Sequence, residues 1–314
     1  LNIFTIYINN LSLKFQSEDN IISYSINKIN VKKEDENILI NIGNITLQYK
    51  QEGTKIVKIF NIDKGISVTL TPKQKLLNIK ISNPNLNIKL DALNNIRRSY
   101  QFLLEQLDME VVLCKVDVLI ENSFIKLNNE FSLTISQISL KNYDGDKLDT
   151  LYLTINDLIV KNKKNEKIIQ QNSINLKMIT HSIKKYEVIL SLSDIYINIS
   201  KEELKNILLI INQIKNNQNK FISKQTKHYI QKTNVKKNQE ITFIFNAKLP
   251  ILDFSLYDSQ NKNKKLELIL SRIESNSNFY IPEEKGKPPK KNINFNIGRI
   301  NIISEQNNGD EYNI

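Results

Sequence analysis

The chain has 314 residues, a formal net charge of +11, 40% hydrophobic residues, one cysteine and no tryptophan. The lone cysteine, Cys114, excludes an internal disulfide framework and fits a reducing compartment. The longest apolar run near a helix, ILLII at 207–211, is far short of the ~20 residues a membrane-spanning helix needs. The lysines are spread through loops instead of clustering with aromatics, so the charge reads as solvated faces. Affinity for an anionic membrane is the sharper alternative, and a nucleic-acid partner is not expected.

The first residues, LNIFTIYINNLSL, alternate apolar with polar and lack a basic leader, so they read as a strand and not as a signal peptide. A chain that starts at Leu1 is expected to be part of something longer. Alternation predicts strands near 2–15, 21–31, 37–50, 55–70 and 76–90. LNIKLD then runs into a predicted helix over 91–107, with Asp91 as N-cap and an apolar stripe of Leu93, Ile96, Tyr100, Leu103, Leu104 and Leu107. Strands near 110–127, 131–143, 148–160, 172–180 and 186–199 follow, with a turn signal in YDGD at 143–146. IYINIS leads into a second predicted helix over 201–216. Ser200 and Glu203 have the spacing of a capping box, and Leu204, Ile207, Leu208, Ile211 and Ile214 share a face. The Lys/Asn-rich stretch 215–239 and PEEKGKPPKK at 282–291 read as exposed connectors. Strands near 241–257, 265–275 and 292–304 begin a third set.

The pattern is therefore a unit of about five strands plus a helix, present twice and begun a third time. The expected domains are 1–109, 110–240 with its linker, and a truncated third repeat at 241–314. Within the strands the alternation misses a beat. Ile135 and Ile138 are three apart where two is expected, and the same rhythm recurs at Ile26 and Ile29, Ile42 and Ile45, Ile155 and Leu158, Leu270 and Ile273, and Ile297 and Ile300. The first residue of each missed beat is Asn27, Gly43, Ser136, Asn156, Ser271 or Gly298, all small or turn-tolerant. A β-bulge with a left-handed residue there would keep the apolar residues on one face; a tight hairpin is the alternative.

Candidates for covalent chemistry are sparse. The two histidines, His181 and His228, stand apart from each other and from Cys114, so a zinc set is not expected. Nucleophile-elbow, phosphate-loop and zinc-protease motifs do not occur. Asp253 and Asp258, beside the apolar LPILDFSLYD, read as surface acids more readily than as a catalytic pair. The expectation is a non-enzyme with no cofactor and no metal.

The order of segments carries a resemblance. VLIENSFIKLNNEFSLTISQISLKN is followed by LDTLYLTINDLIVKN, then YEVILSLSDIYINISKEELKNILLIINQI, then LPILDFSLYDSQNKNKKLELILSRIESNSNF. Across 62–279 this resembles the extended middle region of the vacuolar protein sorting-associated protein 13 family, the chorein-type bridge-like lipid transfer proteins. The resemblance implies a mainly β fold, an elongated, curled antiparallel sheet forming an open, taco-like groove of five-strand repeats. It implies conduction of glycerophospholipids between organelle membranes, with the protein cytoplasmic and peripheral at contact sites. Membrane engagement would then lie in parts of a full-length chain outside this sequence, and the adaptor proteins are not readable. The expected groove floor is Ile40, Ile42, Leu133, Ile135, Ile138, Leu140, Leu153, Ile155, Leu158, Leu190, Leu192, Ile197, Leu252, Phe254, Leu256 and Leu268. The helices are expected to shield part of its rim. The competing reading is a tethering scaffold whose apolar faces close on each other.

Overall fold

A computed structural model describes residues 4–17, 20–51, 56–88, 114–182, 185–212, 241–258, 265–281, 290–305 and 311–313. The fold is mainly β; the strands lie close to where alternation placed them, although 37–50, 55–70 and 76–90 are each broken in two. The sheet is mixed instead of wholly antiparallel, because some strands meet in parallel. The first predicted helix, 91–107, the connector 215–239 and His228 lie outside the described residues.

Contacts divide the chain into two units, one spanning Leu1–Glu166 with Ser173–Asn175 and the other Lys167–Asn172 with Leu176–Ile314. In the first unit, β1 (Thr5–Ser17) pairs antiparallel with β2 (Asn20–Glu34). Then β3 (Asn37–Ile42) pairs with the second half of β2, and β4 (Ile45–Gln51) with its first half. The two are one line of chain broken at Gly43–Asn44, so the hairpin reading of that missed beat fails. β5 (Val57–Ile62) and β6 (Ile66–Thr71) form the next broken line, against β4 and β3. β7 (Leu76–Ser82) and β8 (Pro84–Ile88) form another, against β6 and β5. β9 (Lys115–Leu127) then lies parallel to both β7 and β8, and β10 (Phe131–Lys141) and β11 (Thr150–Asn162) continue antiparallel. The YDGD turn forms as expected, with Gly145 at φ +57 and a bridge between Asp144 and Lys147.

The second unit repeats this logic. The Ile169–Gln171 part of β12 (Lys167–Ser182) pairs with β14 (Ile195–Ser200), which follows β13 (Lys185–Leu192). β15 (Ile241–Tyr257) lies parallel to β13 and β14; β16 (Lys265–Ile281), β17 (Lys290–Glu305) and the short β18 (Glu311–Asn313) follow antiparallel.

Helix α1 occupies residues 201–212. Its capping box is formed: the Glu203 N–H donates to Ser200 Oγ at 3.2 Å, and the Ser200 N–H donates to Glu203 Oε2 at 2.8 Å. The half-buried apolar residues are Leu204, Ile207 and Ile210, whereas Leu208 and Ile211 are exposed, so the stripe is narrower than expected.

The missed beat has a different origin from a one-strand bulge. In β9–β10 the partners are Glu121 with Gln137 and Ser123 with Ile135, so register is unchanged across the gap. The same holds for Gln137 with Asn156 and Ile135 with Leu158 in β10–β11. Both neighbours carry the irregular residue at the same level, and neither gains on the other. The left-handed positions are Asn10, Asn83, Asn122, Asp157 and Arg272, not the six small residues expected from sequence. Ser136 serves instead as a partner, donating to Asn156 O at 3.0 Å or to Asp157 Oδ2 at 2.8 Å. At β2 the Asn27 N–H donates to Asn44 O and Lys28 O accepts from the Gly43 N–H. Two successive residues thus bond to the neighbour directly opposite, which flips the alternation of the ladder without changing its register, so Ile26 opposite Ile45 and Ile29 opposite Ile42 take equivalent places. A one-strand register shift among the first unit's ladders occurs at Leu47/Gln48 against β5.

Candidate functional site

The paired registers convert alternation into rows across strands. One row in the first unit is Ile8, Ile29, Ile42, Ile66, Ile81, Ile120, Ile138 and Ile155, each opposite the next. Eight isoleucines cross eight adjacent strands without interruption, about 34 Å at ~4.8 Å per strand. Beside it run Ile6, Val31, Ile40, Val68, Ile79, Val118, Leu140 and Leu153. On the other side of the irregular line runs Leu13, Tyr24, Leu47, Phe60, Leu86, Ile125, Leu133 and Val160. Nearest that line the row is less regular. It holds Leu11, Ile26, Ile45, Ile62 and Pro84, then Ser123, Ile135 and Leu158.

The second unit carries shorter rows. Ile169, Ile197, Phe254, Leu268 and Ile302 form one, and Ile195, Leu252, Leu270 and Ile300 form another. Leu256 pairs with Ile199 and Leu266. Leu190 faces Ala247, after which comes Ser275 and then Phe295, so small residues interrupt the apolar sequence there. Leu192 ends β13 and is half-buried. Most of the expected floor residues fall into rows, several of them and in two units described separately; Leu190 lies where the apolar sequence is broken and Leu192 belongs to none of the rows above. Sequence reasoning passed over Ile8, Ile29, Ile66, Ile81 and Ile120, which complete the isoleucine row. Their signal was the same alternation; what was missing was the strand order.

Burial is the second observation. Of the expected floor residues only Ile135 is buried, at 6% exposure; the others are half-buried. An apolar face pressed against a second layer would be closed off from solvent. Toward the edges exposure rises: Ile8 on β1 is 44% exposed and Ile300 on β17 is 56% exposed. Closed packing is found on the far side of the irregular line, where Tyr24, Leu47 and Leu86 of the flanking row pack against Ile22, Tyr49 and Ile59, and where Ile62 is 1% exposed.

The opposite face is polar. Between the two apolar rows runs Tyr7, Asn30, Asn41, Ser67, Lys80, Leu119, Ser139 and Thr154. Lys80 Nζ donates to Glu121 Oε1 at 3.0 Å and the Ser82 hydroxyl donates to Glu121 Oε2 at 3.3 Å, and the lysine's bond and charge hold the Glu121 carboxyl below its ordinary range. On β15, burial pushes the Asp253 carboxyl up, and neighbouring Glu267 adds to that shift. His181 sits near the end of β12 and meets Glu187 at 2.8 Å. Among the described residues no group of three His, Cys, Asp or Glu side chains could hold a metal, and no helix is long and apolar enough to cross a membrane. No protein-family model and no curated protein matches this chain.

Proposed function

We propose that the chain is a lipid-holding segment of a bridge-like lipid transfer protein, in which the apolar rows carry glycerophospholipid tails and the polar face meets water. The observation that carries this reading is the uninterrupted isoleucine row, half-buried from Ile29 to Ile155 and exposed at Ile8, on a sheet whose opposite face is polar. The physical reason is the cost of moving a lipid through water. About thirty methylenes at ~0.8 kcal/mol each oppose transfer by some 20–25 kcal/mol. A continuous apolar surface removes most of that, while an open side leaves the headgroup hydrated. The sheet would curl into a groove, and the full-length protein would work in the cytoplasm at organelle contact sites. Selectivity would be loose, because apolar contacts are not directional.

The test is extraction of the purified chain and mass spectrometry of what accompanies it. Glycerophospholipid at a reproducible molar ratio supports the proposal. A folded chain that carries no lipid, and takes up none from vesicles with a fluorescent phospholipid, overturns it in favour of a tethering scaffold.

A further inference from the structure

The first unit holds a mostly polar cleft, bordered also by Ile42 and Ile66 of the isoleucine row. It has a volume of about 350 Å³ and lies where the lines β3–β4 and β5–β6 break, at Gly43 and Gly65. Lys28, Lys64 and Lys80 line it, together with Ser67, Ser82 and Asn30. The three lysines come from separate lines of the sheet, β2, the β5–β6 break and β7, so register and not sequence proximity brings them together. Lys28 also lies over the Tyr7 ring, 5.5 Å from its centre, a contact that leaves its N–H donors available. Both Lys64 and Lys80 act on Glu121 and help to hold its carboxyl ionised. Glu121 already takes hydrogen bonds from Lys80 and Ser82, which shows that the donors of this cleft can converge on an anionic oxygen pair. The Asn30 side-chain oxygen is buried and has no hydrogen-bond partner among the described residues; as an acceptor it would be satisfied by an ordered water or by the P–OH of a protonated phosphate. With three cations against one carboxylate, the cleft has an excess of positive charge and a ring of hydroxyl and amide groups.

We infer that this cleft binds a phosphate group, with Lys28 supplying charge not directed at Glu121 and with Lys64 and Lys80 shared between the ligand and Glu121. The phosphate could belong to a soluble metabolite or to the headgroup of a lipid in an adjacent membrane; the chemistry recognised is the same. The inference does not rest on the lipid-carrying role of the apolar rows.

The experiment titrates the full chain with inorganic phosphate by calorimetry, and separately with vesicles of phosphatidylcholine containing phosphatidic acid. Lys28→Ala and Lys64→Ala are each expected to weaken phosphate binding about fivefold, the value of one lysine at an anionic surface. Glu121→Gln is expected to strengthen it, because it releases Lys80. Lys163→Ala and Lys248→Ala, which change net charge equally outside the cleft, are expected to leave it unchanged. Phosphate binding that vesicles displace assigns the site to a headgroup; binding that vesicles leave intact assigns it to a soluble phosphate. Absence of saturable phosphate binding, or equal losses from the cleft and the distant lysines, overturns the inference.

Discussion

A charge placed in the middle of the isoleucine row separates an open face from a closed one. Ile138 lies between Ile120 and Ile155 and is half-buried. Replacing it by Asp forfeits about half of the ~1.5–3 kcal/mol that full burial of such a side chain provides. It also forfeits two cross-strand apolar pairs, each worth ~0.2–1 kcal/mol. If the face is open, the carboxylate keeps its water and no ion-burial cost is added, so the total is about 2 kcal/mol, within reach of a stability of ~5–15 kcal/mol. Ile62 gives the contrast, being 1% exposed. Asp there loses the whole transfer term and strands an unpaired charge, for a cost above ~4 kcal/mol. Urea unfolding of both variants, with phospholipid per chain measured on the same preparations, reads the difference. The expected result is a folded Ile138→Asp with a modestly lowered midpoint and little bound lipid, and an Ile62→Asp that does not fold. If Ile138→Asp unfolds as Ile62→Asp does, the row is covered by protein and the reasoning fails; if it folds and retains its lipid, the row is not the track.

Asp253→Asn should raise stability at neutral pH and leave it nearly unchanged in acid. A carboxyl with a raised folded pKa favours the native state when protonated, and that advantage is lost as pH rises through the folded value; thermal melts from pH 4 to 8 would show the variant and parent curves diverging upward. Ser200→Ala should cost about 1 kcal/mol by removing the reciprocal cap of α1, visible as a lowered urea midpoint. Gly65→Ala should be severely destabilising, because φ is +82° and the added Cβ would stand 2.1 Å from the Ile42 carbonyl oxygen; an equal midpoint for variant and parent would contradict the geometry at the break.

Strand positions were readable because isoleucine at every second place leaves little choice of backbone. The capping box was readable because its reciprocal bonds depend on local spacing. The row from Ile8 to Ile155 was not, since it depends on which strands meet. The decisive step, Ile81 opposite Ile120, is made by a parallel pairing between segments far apart in sequence. The left-handed residues were misplaced for a related reason. Sequence points to the smallest residue near the missed beat, but the strain settles on whichever of two facing strands relieves it at least cost. In β9–β10 that is Asn122, while Ser136 supplies hydrogen bonds across the neighbouring joint. Arg272 at φ +55 is a position no composition rule would pick. The exposed side of α1 escaped notice because Leu208 and Ile211 satisfy helical periodicity without being covered.

The parallel joints at β7–β9 and β14–β15 bear on how such a chain can change length. In the first unit four reversals of direction are followed by one step that keeps direction, so the heading of each line is set by its place in the count. Removing two adjacent lines from an antiparallel stretch leaves every later line heading as before, and the isoleucines still meet. Removing one line turns every later strand end for end. Insertions and losses compatible with an intact row should therefore come in pairs, or in whole sets that carry their own joint.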